Sequence, residues 1–238
     1  ATAVGTAINV NPIYLFHIIK NINLVCGTDC SQAEDLFDAT QNLDGFVFTS
    51  SMLKTCAVNL SKICNDLRLL SSGPKTGIGE INLPPKQNGS SIMPGKINPV
   101  IPEVVSQVAY NVIGNDTTVT LAAEAGQLEL NAFEPVVFYK IFESIDTMTG
   151  AVRTLIDNCI LGITANRKRC EQLVESSVSL ATALCPYIGY KKAADIAKQS
   201  LETGIPVREL VQNSGLLTQE QLENGLNLLS MTQPGHQF

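Results

Sequence analysis

Gly89, Ser90, Ser91, Ile92, Met93, Pro94, Gly95, Lys96, Ile97, Asn98 and Pro99 gather two hydroxyls, an ammonium and a carboxamide into one short arc. Glycines leave backbone amides free to form an anion-binding nest, Lys96 adds a point charge and Asn98 a directional donor. Those groups suit a small ligand carrying several negative charges. By residue type alone, a solvated Ser/Gly-rich surface loop is the competing account. A phosphate-binding Walker loop is excluded, because no Gly-Lys-Ser/Thr follows the glycines.

Such a loop needs rigid elements at both ends. It closes a Gly- and Pro-rich connection over 73–99, and a connection of that length inside a compact protein is usually functional. Before it, over 41–72, Phe46, Leu53, Leu60 and Leu67 recur every seventh residue, with Cys56, Ile63 and Leu70 on the adjacent row. That is the seam of a long packed helix, stopped by Gly73-Pro74. After it, Pro99 opens a second helix carrying Ile101, Val105, Val108, Val112 and Val119. A third, from about Phe133, sets Phe138, Ile145, Val152 and Cys159 beside Ile141, Met148 and Leu155.

Beyond Asn166 the pattern changes to short amphipathic segments at 167–183, 190–203, 207–213 and 218–229, the last opening on a capping box at Thr218 and Gln221. No alternating strand pattern of useful length and no 20–50-residue repeat is evident. The expected fold is therefore all-α, a long-helix bundle over 1–164 that includes the loop 73–99, followed by a small helical C-terminal domain over 165–238.

Composition narrows the function classes. The chain has 238 residues, 45% hydrophobic and 16% charged, with a net charge of -6, which excludes a disordered chain and argues against nucleic-acid binding. No apolar run reaches the roughly 18 residues of a membrane span, and no signal-peptide pattern is present, so a cytoplasmic location is expected. The seven cysteines form no CxxC pair and read as structural or incidental thiols. His17 and His236 lie far apart, so no metal site is expected.

The order Gly-Ser-Ser-x-Met-Pro-x-Lys-x-Asn-Pro at 89–99 resembles, without departure, the signature of the fumarase/aspartase superfamily of lyases. The resemblance runs end to end, through Lys62 to Arg68, Val112 to Asp116, and Glu129-Leu130-Asn131. Within the superfamily the chain is more similar to the aspartate ammonia-lyases than to the fumarases. The residues that tip it are Ala33 to Leu36, Leu69 to Pro74, Glu80 to Pro84, Asn98 to Val104 and Asn115 to Gln127. Family members are about twice as long, and this chain resembles their C-terminal half, which agrees with a start at Ala1-Thr2-Ala3 lacking an initiating Met.

The resemblance implies that Ser90 is the base, taking a proton from the carbon beside one carboxylate of a small dicarboxylic amino acid, with fumarate and ammonia as products. Ser91 would assist the developing charge, while Lys96 and Asn98 would hold the other carboxylate. Asn98 is also placed to cap the helix before Pro99. Glu103 matches a carboxylate that orients an imidazole from another subunit. Neither His17 nor His236 matches that imidazole, and a helix-start Glu favoured by the dipole accounts for Glu103 equally well. No cofactor is implied. A homotetramer built around a core of twenty helices, with sites shared among three subunits, is implied, and the chain alone is expected to be nearly inactive. Class II fumarase, acting on malate, and an inactive helical oligomerisation fragment are the alternatives.

Overall fold

The structure, a computed structural model, describes residues 3–73, 75–87, 93 and 97–233. It is all-α. The helices are α1 (Pro12–Cys26), α2 (Asp38–Gln41), α3 (Asp44–Leu70), α4 (Val100–Glu124), α5 (Glu134–Asn158), α6 (Arg167–Glu175), α7 (Leu180–Ala183), α8 (Cys185–Ile188), α9 (Tyr190–Thr203), α10 (Val207–Ser214), α11 (Gln219–Gly225) and α12 (Leu228–Met231). Two short strands, β1 (Ile81–Asn82) and β2 (Thr164–Ala165), pair antiparallel, Ile81 with Ala165 and Asn82 with Thr164. No helix among the described residues is long and apolar enough to cross a membrane.

The chain forms two compact units, one of Ala1–Ser72 with Leu83–Ile163 and the other of Gly73–Asn82 with Thr164–Phe238. Gly73–Asn82, placed by the sequence with the bundle, thus lies in the second unit. The reason is local pairing, because β1 needs β2 as its partner and no other strand is present among the described residues.

In the first unit α3, α4 and α5 run antiparallel to their neighbours, with α4 in the middle. The expected helices are present, but the seam of α3 is rotated. Its buried residues are Ser50, Ala57, Ser61 and Cys64, whereas Leu53, Leu60 and Leu67 are only partly buried beside the core. Small residues at the contact let α4 come close, and the larger row is pushed to the flank, where Phe46 and Ile63 stay exposed. On α5 the expected row is buried: Ile141, Met148 and Leu155, joined by Val137, Ser144 and Ala151, make an uninterrupted three-four repeat.

Consecutive polar residues fasten α4 to both neighbours. Asp116, only 4% exposed, accepts from Ser50 Oγ at 2.8 Å and pairs with Lys54 on α3. Asn115 donates to Glu143 Oε2 at 2.9 Å and Ser144 Oγ at 3.1 Å on α5. At the end of α4, buried Asn131 donates to the carbonyls of Ala122 at 3.0 Å and Ala123 at 3.1 Å, satisfying acceptors the helix leaves open. Gly126 allows this, since a Cβ there would sit 2.9 Å from Asn131 Nδ2.

The second unit closes around Leu180, Leu184, Ile196, Val207, Val211 and Leu222. The capping box forms as expected, Gln221 N donating to Thr218 Oγ1 and Thr218 N to Gln221 Oε1. The expected segment 167–183 breaks after Glu175, at Ser176 to Ser179, and 218–229 breaks after Gly225. Helix α1 had no counterpart in the sequence reading. Its ends are nonetheless written there: Asn11 caps Ile13 N at 2.9 Å, Pro12 is the first helical residue, and Gly27 ends it in the left-handed conformation.

Candidate active site

Ser90, Ser91 and Lys96 lie outside the described residues, so the site is described from the two ends that hold them. At the far end, α4 begins at Val100 with Pro99 at its N-cap position, one residue later than expected, which leaves Asn98 just outside the helix. Its carbonyl accepts from Val100 N at 2.9 Å. Glu103 sits in the first turn, where an anion is favoured by the helix dipole. Arg68, in the last turn of α3, brings Nη2 to 3.8 Å from Glu103 Oε1. Within this chain, then, the charged partner of Glu103 is the guanidinium of Arg68. The pair is partly exposed, so it contributes little to the stability of the fold.

At the near end, Leu83 packs with Cys64, Val105 and Cys159. Pro84 lies so close to Gly162 that a Cβ on the glycine would overlap the proline ring. Asn98 joins Leu83, Pro84 and Cys159 around a cavity of about 10 Å³, room for about one water and far too little for a dicarboxylate. A larger, open depression is lined by Asn11, Ile13, Tyr14, His17, Ile18 and Asn21, all at or on one helix, α1. His17 is exposed there with its ring edge-on to Phe16, and His236 is outside the described residues. Among the described residues no three His, Cys, Asp or Glu side chains are grouped as metal ligands would be.

Preceding Leu83, four successive carbonyls are held by the first turn of α6 and its cap. Arg169 donates from Nη2 to Gly77 O at 3.1 Å and from Nε to Ile78 O at 2.9 Å. Asn166 donates from Nδ2 to Gly79 O at 2.8 Å and from its backbone to Glu80 O at 2.8 Å. Gly79 is buried with φ +62°, a conformation that favours glycine. These contacts leave no local mark in the chain, because Arg169 and Gly77 are 92 residues apart. Arg68 carried a weak sign, a cation in the last turn of the helix that feeds the loop.

Burial pushes the Cys64 thiol up to about 11, with neighbouring Cys159 adding to the rise and Arg68 opposing it. Burial raises Cys159 as well. The hydrogen bond from Lys140 holds Glu143 below its ordinary value, helped by Asn115 and Asn111. Cys64 and Cys159 lie beneath the loop ends, and Glu143 does not. Glu143 bonds to α4 at Asn115, and at about 1.5 Å per residue that lies roughly 20 Å along the helix from Glu103.

Comparison with known proteins supplies the class to which this long-helix bundle belongs. Residues 1–114 match the family described as "Lyase" and residues 180–233 the one described as "Fumarase C C-terminus". The chain is 55% identical, over 98% of its length, to the aspartate ammonia-lyase of Pseudomonas aeruginosa, covering 49% of that protein. Among solved structures, fumarate lyase:delta crystallin from Brucella melitensis is similar with a TM-score of 0.93 and 50% identity, over 98% of this chain and 50% of that one. Class II fumarase from Schistosoma mansoni is similar with a TM-score of 0.88 and 30% identity, over 98% of this chain and 52% of that one. The chain belongs to the fumarase/aspartase superfamily of lyases. It spans about half the length of the curated relatives it matches.

Proposed function

We propose that this chain is part of an aspartate ammonia-lyase, converting L-aspartate to fumarate and ammonia by anti elimination. The observation that carries the choice is identity: 55% to an aspartate ammonia-lyase against 30% to a class II fumarase over the same share of the chain. In this reading Ser90 removes a proton from the carbon beside one carboxylate, the electron pair delocalises into that carboxylate, and collapse to the alkene expels the amine from the neighbouring carbon. A serine alkoxide needs preorganised donors in a water-poor site, which loop amides and Ser91 would provide. Lys96 and Asn98 would fix the second carboxylate and so the anti geometry. Glu103, paired with Arg68, would support the start of α4.

Further support for a multi-subunit site comes from the faces of the long helices, which leave Phe48, Leu121 and Phe142 more than half exposed. We accordingly place the chain in a homo-oligomer, a tetramer by analogy with the superfamily. Seven free thiols suit the reducing cytoplasm.

The test follows fumarate by ultraviolet absorbance in the full-length protein. Aspartate should be turned over and malate far less. Ser90→Ala should cut kcat by at least about 10²-fold, and retention within about tenfold would remove Ser90 as the base. Faster turnover of malate than of aspartate would instead favour the fumarase assignment. The 238-residue chain alone should show little turnover; a rate equal to the full-length protein's would overturn the shared-site reading.

A further inference from the structure

We propose that Cys26 and Cys30 are a redox-responsive thiol pair, which a hydroperoxide closes to a disulfide that staples the end of α1. Both thiols are exposed, whereas Cys64 and Cys159 are buried. Three residues separate them, and the chain between them doubles back. Gly27 ends α1 with φ 65° and donates to Asn23 O, and Thr28 N donates to the same carbonyl at 3.3 Å. The Asn23 side chain then grips the returning chain. Its Nδ2 donates to Cys30 O at 2.8 Å, and its Oδ1 accepts from Cys30 N at 2.8 Å and from Thr28 Oγ1 at 3.0 Å. Cys30 is thereby carried back beside α1 at the level of Asn23. Cys26 follows Asn23 by three residues on the same helix face, and helical side chains lean toward the N-terminus, so its thiol leans back over Asn23. One asparagine thus gathers both cysteines at a single turn of the helix.

A disulfide spans about 4.4–6.8 Å between Cα atoms, which is about the rise of one helical turn, and so short a ring costs little entropy to close. In the reaction one thiolate attacks an oxygen of hydrogen peroxide, the O–O bond breaks, and a sulfenic acid and water result. The second thiolate attacks the sulfenic sulfur, the S–O bond breaks, and the oxygen leaves as water while S–S forms. The two thiols give up two electrons and two protons, and the peroxide takes them up as two molecules of water. A dithiol reductant reverses the step by exchange. Because α1 has no buried residue, a covalent tie at its end adds to the hydrogen bonds of Asn23. Disulfides of this kind inside cells are transient and redox-sensing.

The experiment treats the reduced 238-residue chain with a stoichiometric amount of hydrogen peroxide, alkylates the remaining thiols and maps them by mass spectrometry. Trypsin cleaves after Lys20 and Lys54, so the peptide 21–54 carries Cys26 and Cys30 and no other cysteine. That peptide should lose two hydrogens, take up no alkylating reagent, and regain both thiols with dithiothreitol. In Cys26→Ser, dimedone should instead trap a sulfenic acid on Cys30. Asn23→Ala frees Cys30 from the helix and should slow closure by about tenfold or more. Sulfenic or sulfinic acids, or links between chains, in place of the internal disulfide overturn the proposal, and so does an Asn23→Ala variant that closes as fast as the unaltered chain. If Asn23→Ala unfolds, the same rate comparison is made with Asn23→Asp, which keeps the acceptor for Cys30 N and loses the donor to Cys30 O.

Hydrogen exchange reads the staple itself. Amides in the last turn of α1 should exchange about tenfold more slowly after oxidation, and unchanged exchange overturns the stapling role. None of these readouts uses turnover, so they stand or fall independently of the aspartate assignment.

Discussion

Cys64 and Cys159 share one core cluster beneath the loop ends, and burial raises both thiols. A thiol at about 11 in the folded chain and 9.0 in the unfolded one is protonated in both states below pH 9. Between pH 9 and 11 the unfolded state releases its proton and the folded state keeps it, so stability falls as pH rises through that window. Each pH unit is worth about 1.4 kcal/mol at most. Urea unfolding should therefore show a falling midpoint over that range, flattened in Cys64→Ala; an identical slope in the variant would show that Cys64 is not the titrating group. Thiol reagents at pH 8 should label Cys64 and Cys159 only once the chain is unfolded. Glu143 runs the other way. Its carboxyl is held low by Lys140, so its contribution is present above the ordinary value of 4.5 and is lost as pH falls through the depressed one.

The helices as elements were legible because apolar residues recur with the right period; the faces they present were less so. For α3 the large row Phe46, Leu53, Leu60 and Leu67 looked like the seam, yet contact is made by Ser50, Ala57, Ser61 and Cys64. Heptad spacing fixes a direction around the helix only when neighbours have similar size, and a close approach selects small side chains that a hydrophobicity pattern ignores. Helix α1 escaped notice for the opposite reason: Ile13, Tyr14, Phe16, Ile18, Ile22, Leu24 and Val25 surround it on every side, so no stripe stands out. In the loop, by contrast, Ser90, Lys96 and Asn98 are proposed from residue order, whereas the grip of Arg169 on Gly77 joins distant segments and leaves no local trace. The polar pins of α4 make their own prediction. Lys54→Met strands an Asp116 carboxylate that is 5% exposed, and should cost about 3 kcal/mol in urea unfolding. Asp116→Asn should cost less, because the amide is neutral and still accepts from Ser50, while Lys54, 39% exposed, turns to water. The reverse order would mean that the pair does not hold the helices in register.

At the scale of the molecule, the first unit exposes large apolar side chains on each of its long helices. Phe16, Leu24 and Val25 on α1 are at least 80% exposed, Phe48 on α3 is 69%, Leu121 on α4 is 61%, and Phe142 on α5 is 62% exposed. Exposed large apolar side chains recurring on several helices are what an association surface presents. Each of the long helices contributes, so no single small ligand would cover them; a second copy, or the remaining length that the curated relatives possess, would. The chain alone should accordingly self-associate, with a light-scattering mass at a multiple of 25.5 kDa. Phe48→Asp combined with Phe142→Asp places charges on two of those faces without entering the buried rows of α3 or α5. The double variant should stay helical by circular dichroism while its mass moves toward that of a single chain. A stable monomer of the unaltered chain at dilute concentration would mean that these faces close in some other way, and the multi-subunit site would lose its support. If association holds but turnover appears only in the full-length protein, apolar faces and active site have separate requirements: the helices here suffice to bring copies together, and the remaining length is needed to complete the proposed site.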